Sequence, residues 1–124
     1  MTTTAYAPPG WPAEVRPPGA PRWEDTAIGW LLDQCPPDYR LYAGLRRHPV
    51  VLARFTALHV EASIQAAQRG ISEARTSLRE LLPTESVEGA ISMWEREGAR
   101  LLRVRRSVGL IEEAFRGRQF RPRL

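Results

Sequence analysis

Apolar residues recur at alternating three- and four-residue spacing over two long stretches, and the link between the stretches is too short for anything but a tight reversal. The first series is Val50, Ala53, Ala57, Val60, Ile64, Ala67, Ile71, Ala74, Leu78 and Leu81; the second is Val87, Ala90, Trp94, Glu97, Leu101, Val104, Val108, Ile111 and Phe115. This is the a and d spacing of heptads, which places each series along one face of a helix. Folding the chain back at Pro83-Thr84-Glu85-Ser86 sets Leu78 by Ala90, Ala74 by Trp94, Ala67 by Leu101, Val60 by Val108 and Ala53 by Phe115. Small side chains then face bulky ones, as a core at near-crystalline packing density requires. Helices joined by so short a connection are antiparallel neighbours.

The expected fold is therefore all-α: two short N-terminal helices packed on the base of a long antiparallel helical hairpin, coiled-coil-like, with a Pro-rich N-terminal arm. Residues 1–22 hold Pro8, Pro9, Pro12, Pro17, Pro18 and Pro21 with Gly10 and Gly19, a composition that favours extended or disordered chain over helix. Such an arm is a disordered tail, or lies over a partner with Trp11, Val15 and Trp23 as anchors. A single helical domain is expected over 23–116, with short helices at 24–34 and 38–47 and long ones at 49–82 and 85–116. Asp25 or Thr26 is placed to cap the first helix, and Thr84 or Ser86 the last. Pro49 suits the first turn of the third helix, where its missing N–H costs no hydrogen bond. Off the seam, Val51, Leu52, Phe55 and Leu58 make the start of that helix apolar all round, as Leu102 and Leu110 do near the end of the fourth. A helix apolar on every side is a buried one, so a covered base with a projecting two-helix arm is expected.

No stretch reaches the roughly 20 apolar residues of a membrane helix, and Met1-Thr2-Thr3-Thr4-Ala5-Tyr6 lacks the basic and apolar regions of a secretory signal. The expectation is a cytoplasmic chain without membrane contact. Cys35 is the only cysteine, which excludes an internal disulfide and a metal site built on cysteine pairs. His59 and Glu73 lie too far apart on one helix to share an ion, and His59 and Glu61 point in different directions, so no metal and no cofactor are expected. Without a nucleophile beside a base, and without a glycine-rich phosphate loop, the chain is not expected to be an enzyme.

Two features off the core pattern are candidate sites. All 18 basic residues are arginine, which a GC-rich coding bias suffices to explain, but their placement is uneven. From Arg96 to the C-terminus nine arginines stand against Glu97, Glu112 and Glu113. Arg96, Arg103 and Arg106 fall within one broad face of the last helix, with Arg100 at its border. Arg116, Arg118, Arg121 and Arg123 follow on the tail, residues 117–124 for the most part, with Phe120 among them. Clustered arginine with an interleaved aromatic can track a nucleic-acid backbone and stack on a base; an acidic protein partner or a solvated helix face accounts for it equally. Glu97 is the second feature, a carboxylate on the seam facing Ile71 near Gly70 and Gly98. It is either rotated toward solvent or paired with an arginine such as Arg75 or Arg100. The expected function is non-enzymatic: protein–protein interaction or assembly, as an adaptor or scaffold that packs its helices on a partner or on its own copies in a homo-oligomer, with a dimer as the simplest case. Nucleic-acid binding through the arginine-rich face and tail is the alternative.

Overall fold

The computed structural model describes residues 5–123; residues 1–4 and Leu124, which belong to the predicted arm and tail, lie outside the described residues. The chain is mostly helical, with no strand among the described residues. Helix α1 spans Trp23–Asp33, α2 Ala43–Arg47, α3 Pro49–Arg75 and α4 Thr84–Phe115, with 3-10 turns at Pro37–Leu41 and Leu78–Glu80. None of the helices is long and apolar enough to cross a membrane.

Helices α3 and α4 lie side by side and antiparallel. The ion pairs Arg54–Glu112 and Glu61–Arg105 climb α3 as they descend α4, and Arg79 of the following 3-10 turn continues the order with Glu88. The main core gathers Leu52, Ala53, Val60 and Ile64 of α3 with Leu101, Val108 and Ile111 of α4, and covers one side with Ala27, Leu31 and Leu32 of α1. A smaller cluster of Ala74, Val87 and Ile91, flanked by Ile71, Leu78 and Trp94, closes the far end.

Two helix boundaries, two caps and one register differ from the sequence reading. Helix α3 stops at Arg75, not at residue 82. The Thr76 hydroxyl donates to the Ser72 carbonyl at 3.0 Å and the Ser77 hydroxyl to the Glu73 carbonyl at 3.4 Å. Hydroxyls that occupy helix carbonyls in this way compete with the backbone, and Leu81 is consequently exposed rather than seated on Val87. The predicted helix over 38–47 is broken at Tyr42, whose extended backbone separates the first 3-10 turn from α2. Neither α1 nor α4 has a side-chain cap: Arg22, in the left-handed region, heads the one and Pro83 the other. On α4, Ile91 is buried where Ala90 was expected, so the packed face includes Val87, Ile91, Trp94 and Leu101. A Cβ at Gly70 would come within 2.6 Å of the Trp94 ring. Trp94 thus lies on Gly70 and against the cluster that holds Ala74.

The Pro-rich segment is neither helix nor strand, yet its anchors are seated. Proline donates no backbone hydrogen bond but still accepts one: Trp11, Val15 and Ala20 donate their N–H groups to the carbonyls of Pro8, Pro12 and Pro17 at 3.0, 3.1 and 3.0 Å. The left-handed φ of +95° at Gly10 turns the chain onto α4, where the Ser107 hydroxyl donates to the Gly10 carbonyl at 2.6 Å and Arg106 to the Pro9 carbonyl. Val15 is buried in the main core. The Trp11 ring stands 6.0 Å from Trp23 and 6.3 Å from Phe120, and Trp23 stands 4.9 Å from Phe115. Trp11, Val15 and Trp23 anchor the segment on this chain's own helices.

Candidate interaction surface

The nine arginine-site residues predicted from sequence do not form one surface. Between Arg103 and Arg116 lie about 20 Å of helix at 1.5 Å per residue. Arg96, Arg100 and Arg103 line a shallow depression on α4 with Met93, Trp94 and Glu97. There Arg100 donates to both oxygens of Glu97 at 2.6 and 3.0 Å. This hydrogen bond holds the Glu97 carboxyl below its ordinary range and raises the Arg100 guanidinium above its own. Glu97 is therefore paired within its own helix, at the border of a cleft it shares with His59, Val60 and Ser63 of α3. Arg106 is spent on the Pro9 carbonyl.

At the C-terminal end, Arg116 donates to Glu112 at 3.0 Å, and the same buried carboxylate accepts from Arg54 of α3 at 3.2 Å. Arg118 pairs with Glu113 and lies 4.8 Å over the Phe120 ring. Arg121 and Arg123 have no acid within ion-pair distance among the described residues. Both line crevices between the N-terminal segment and the tail, with Tyr6 and Phe120. Of the nine arginines from Arg96 onward, Arg100, Arg105, Arg116 and Arg118 are ion-paired, while Arg96, Arg103 and Arg106, like Arg121 and Arg123, have no acid within ion-pair distance among the described residues.

The larger anomaly is apolar. Leu41, Tyr42, Val51, Phe55 and Leu58 are 81, 59, 42, 47 and 59% exposed. The predicted base was to cover this surface, and it does not. Each residue advances 100° around a helix, so Leu52, Ala53, Thr56 and Val60 point toward α1 and α4 while Val51, Phe55 and Leu58 point away from both. Tyr39 ties the short 3-10 turn to this outer face: its ring stands 6.5 Å from Phe55, 6.4 Å from Tyr42 and 6.4 Å from His59. Leu102, also expected in the base, is exposed; it borders a separate groove of about 280 Å³ floored by Ala67, Gly98 and Ala99 between α3 and α4. The signal was present in the sequence, because Val51, Phe55, Leu58 and Ala62 follow the i, i+4, i+7, i+11 spacing of a second stripe.

Groups suited to chemistry are turned inward or onto the backbone. The Cys35 thiol lies 3.2 Å from the Thr56 hydroxyl, and burial pushes its pKa up, the opposite of what a nucleophilic thiolate requires. Ser63 shares a small cleft with His59, Gln34 and Arg100, but its hydroxyl donates to the His59 carbonyl at 2.9 Å rather than to the imidazole. Among the described residues no group of three or more His, Cys, Asp and Glu side chains is placed to hold a metal ion. Compared with family models, with curated proteins and with solved structures, the chain matches none.

Proposed function

We propose that the protein is a non-enzymatic helical assembly module, an adaptor or scaffold that holds a protein partner on the outer face of α3. The observation that carries this reading is the exposed run of Val51, Phe55 and Leu58, extended by Leu41 and Tyr42. Large apolar side chains exposed singly are ordinary on a protein surface, whereas a contiguous patch marks an interaction site. Its helical spacing points to a helix as the element received. The test is capture from the native cell with wild type and with a Phe55→Asp, Leu58→Asp double variant, whose folding is checked by circular dichroism. Proteins held by wild type and lost by the folded variant support the reading; an identical captured set removes the patch from it.

A second reading rests on Arg121 and Arg123 beside Tyr6 and Phe120, an arrangement suited to phosphate contact with base stacking. It predicts binding to single-stranded oligonucleotide that weakens steeply with salt and is lost in an Arg121→Gln, Arg123→Gln variant. No binding at low salt would end it.

A further inference from the structure

We propose that the occupant of the α3 outer face is the same face of a second copy, packed antiparallel, so that the protein is a two-fold dimer. This rests on the reading of that face as an interaction surface, and it adds the partner and the register.

The outer stripe has the spacing of a and d positions, with Phe55 and Ala62 as a residues and Val51 and Leu58 as d residues. Antiparallel helices pack a against d in each layer. One register sets Phe55 against Leu58 of the second copy and Val51 against Ala62, with each layer repeated by the two-fold. The bulky pair lies nearest the axis, and the smaller Val51 and Ala62 lie toward the two ends of the contact. Tyr42 is exposed beside the Tyr39 ring, which itself abuts Phe55, so it adds apolar surface at the flank of the stripe.

Charge selects this register over its neighbours. Arg54 and Glu61 both flank the stripe on its α4 side, two turns apart, and both side chains are half-exposed. In the register above, Arg54 stands opposite Glu61 of the second copy, twice over. Sliding by one heptad in one direction sets Arg54 against Arg54; sliding in the other sets Glu61 against Glu61. Within the chain, Arg54 already reaches Glu112 and Glu61 already accepts from Arg105 at 3.2 Å. The dimer contact therefore joins two held charge pairs into one alternating row across the interface, while both alternatives place like charges together. Such flanking charges fix partner and orientation more than they add affinity.

Sedimentation equilibrium of the full chain up to about 1 mM tests for the dimer, and cysteine pairing tests the register. On a Cys35→Ser background, Phe55→Cys chains mixed with Leu58→Cys chains are expected to form a mixed disulfide under mild oxidation. That yield should exceed the yield of a Phe55→Cys and Leu102→Cys mixture by at least tenfold. Leu58→Asp, at an exposed position, is expected to leave the helical signal intact and give a monomer. A wild-type monomer over the whole range overturns the proposal. So does a dimer that survives Leu58→Asp, or one in which the Phe55–Leu58 disulfide forms no faster than the control. A monomer that still loses its cellular partners with Leu58→Asp overturns self-pairing alone and leaves the interaction reading standing.

Discussion

The two faces of α3 are built from the same kind of residue and end in opposite environments. On the inner face Leu52, Ala53, Val60 and Ile64 are buried against α1 and α4; on the outer face Val51, Phe55 and Leu58 meet solvent. Residue type does not separate them. What separates them is supply: α1 and α4 pack on the inner side, while the Tyr39 ring reaches the outer one. A helix with two apolar stripes has the sequence of a middle helix, and this chain fills only one of its sides.

The sharpest way to break this comparison is to truncate one leucine from each face. Leu52→Ala removes a fully buried side chain and should cost about 3 kcal/mol, within the range for cavity-forming core truncations. Leu58→Ala should change the stability of the monomeric chain by less than about 0.5 kcal/mol, as surface substitutions do. Urea denaturation of both at low protein concentration measures the difference. Equal costs would mean that the outer face is covered within the chain.

Next in size is the seam between the faces. Glu112 is buried and accepts from Arg54 of α3 and Arg116 at the end of α4. Glu112→Ala should cost about 1–2 kcal/mol: the loss of charge-assisted hydrogen bonds is partly offset because both arginines can turn to water. The same urea experiment reads it. Wild-type stability in Glu112→Ala would make the pair ornamental and leave apolar packing alone to hold the inner face together.

A smaller effect belongs to the distal end of the inner face, where Trp94 lies on Gly70. Gly70→Ala should destabilise by about 1 kcal/mol, because overpacking against the ring costs about 1–3 kcal/mol and the better helix former returns up to about 1 kcal/mol. A stabilised variant would mean that Trp94 swings freely aside.

Much of this architecture is legible in the residues. Heptad spacing locates α3 and α4 and their antiparallel sense, and the Pro36-Pro37 break ends α1 near the expected position. The end of α3 is not legible from apolar spacing, because Leu78 and Leu81 keep the pattern while the hydroxyls of Thr76 and Ser77 interrupt the backbone. Glu97 misleads for a related reason. Ala90 and Ile91 offer two adjacent seams, and burial of the larger Ile91 selects one, while Glu97 pairs with Arg100. The arginines show the limit of counting charge: Glu97, Glu112 and Glu113 are few, yet each engages an arginine at close range. The outer patch is not separable from core by residue type, because Val51, Phe55 and Leu58 repeat the helical spacing of a buried stripe and differ only in what packs on them.

The smallest expected effect is the most specific in its pH dependence. Glu97 lies on an exposed edge of α4 and is paired with Arg100 three residues on. Its carboxyl is held below the ordinary value of 4.5 chiefly by the hydrogen bond from Arg100. Above that ordinary value the group is ionised both folded and unfolded, and the pair contributes fully. As the pH falls through the lowered value the folded carboxylate takes up its proton and the contribution disappears. Because water surrounds the pair, Glu97→Gln should cost less than about 0.5 kcal/mol at neutral pH and nothing at strongly acid pH. Thermal melts of variant and wild type at the two pH values check it. A gap that persists in acid would assign Glu97 a packing role against α3 that does not depend on its charge.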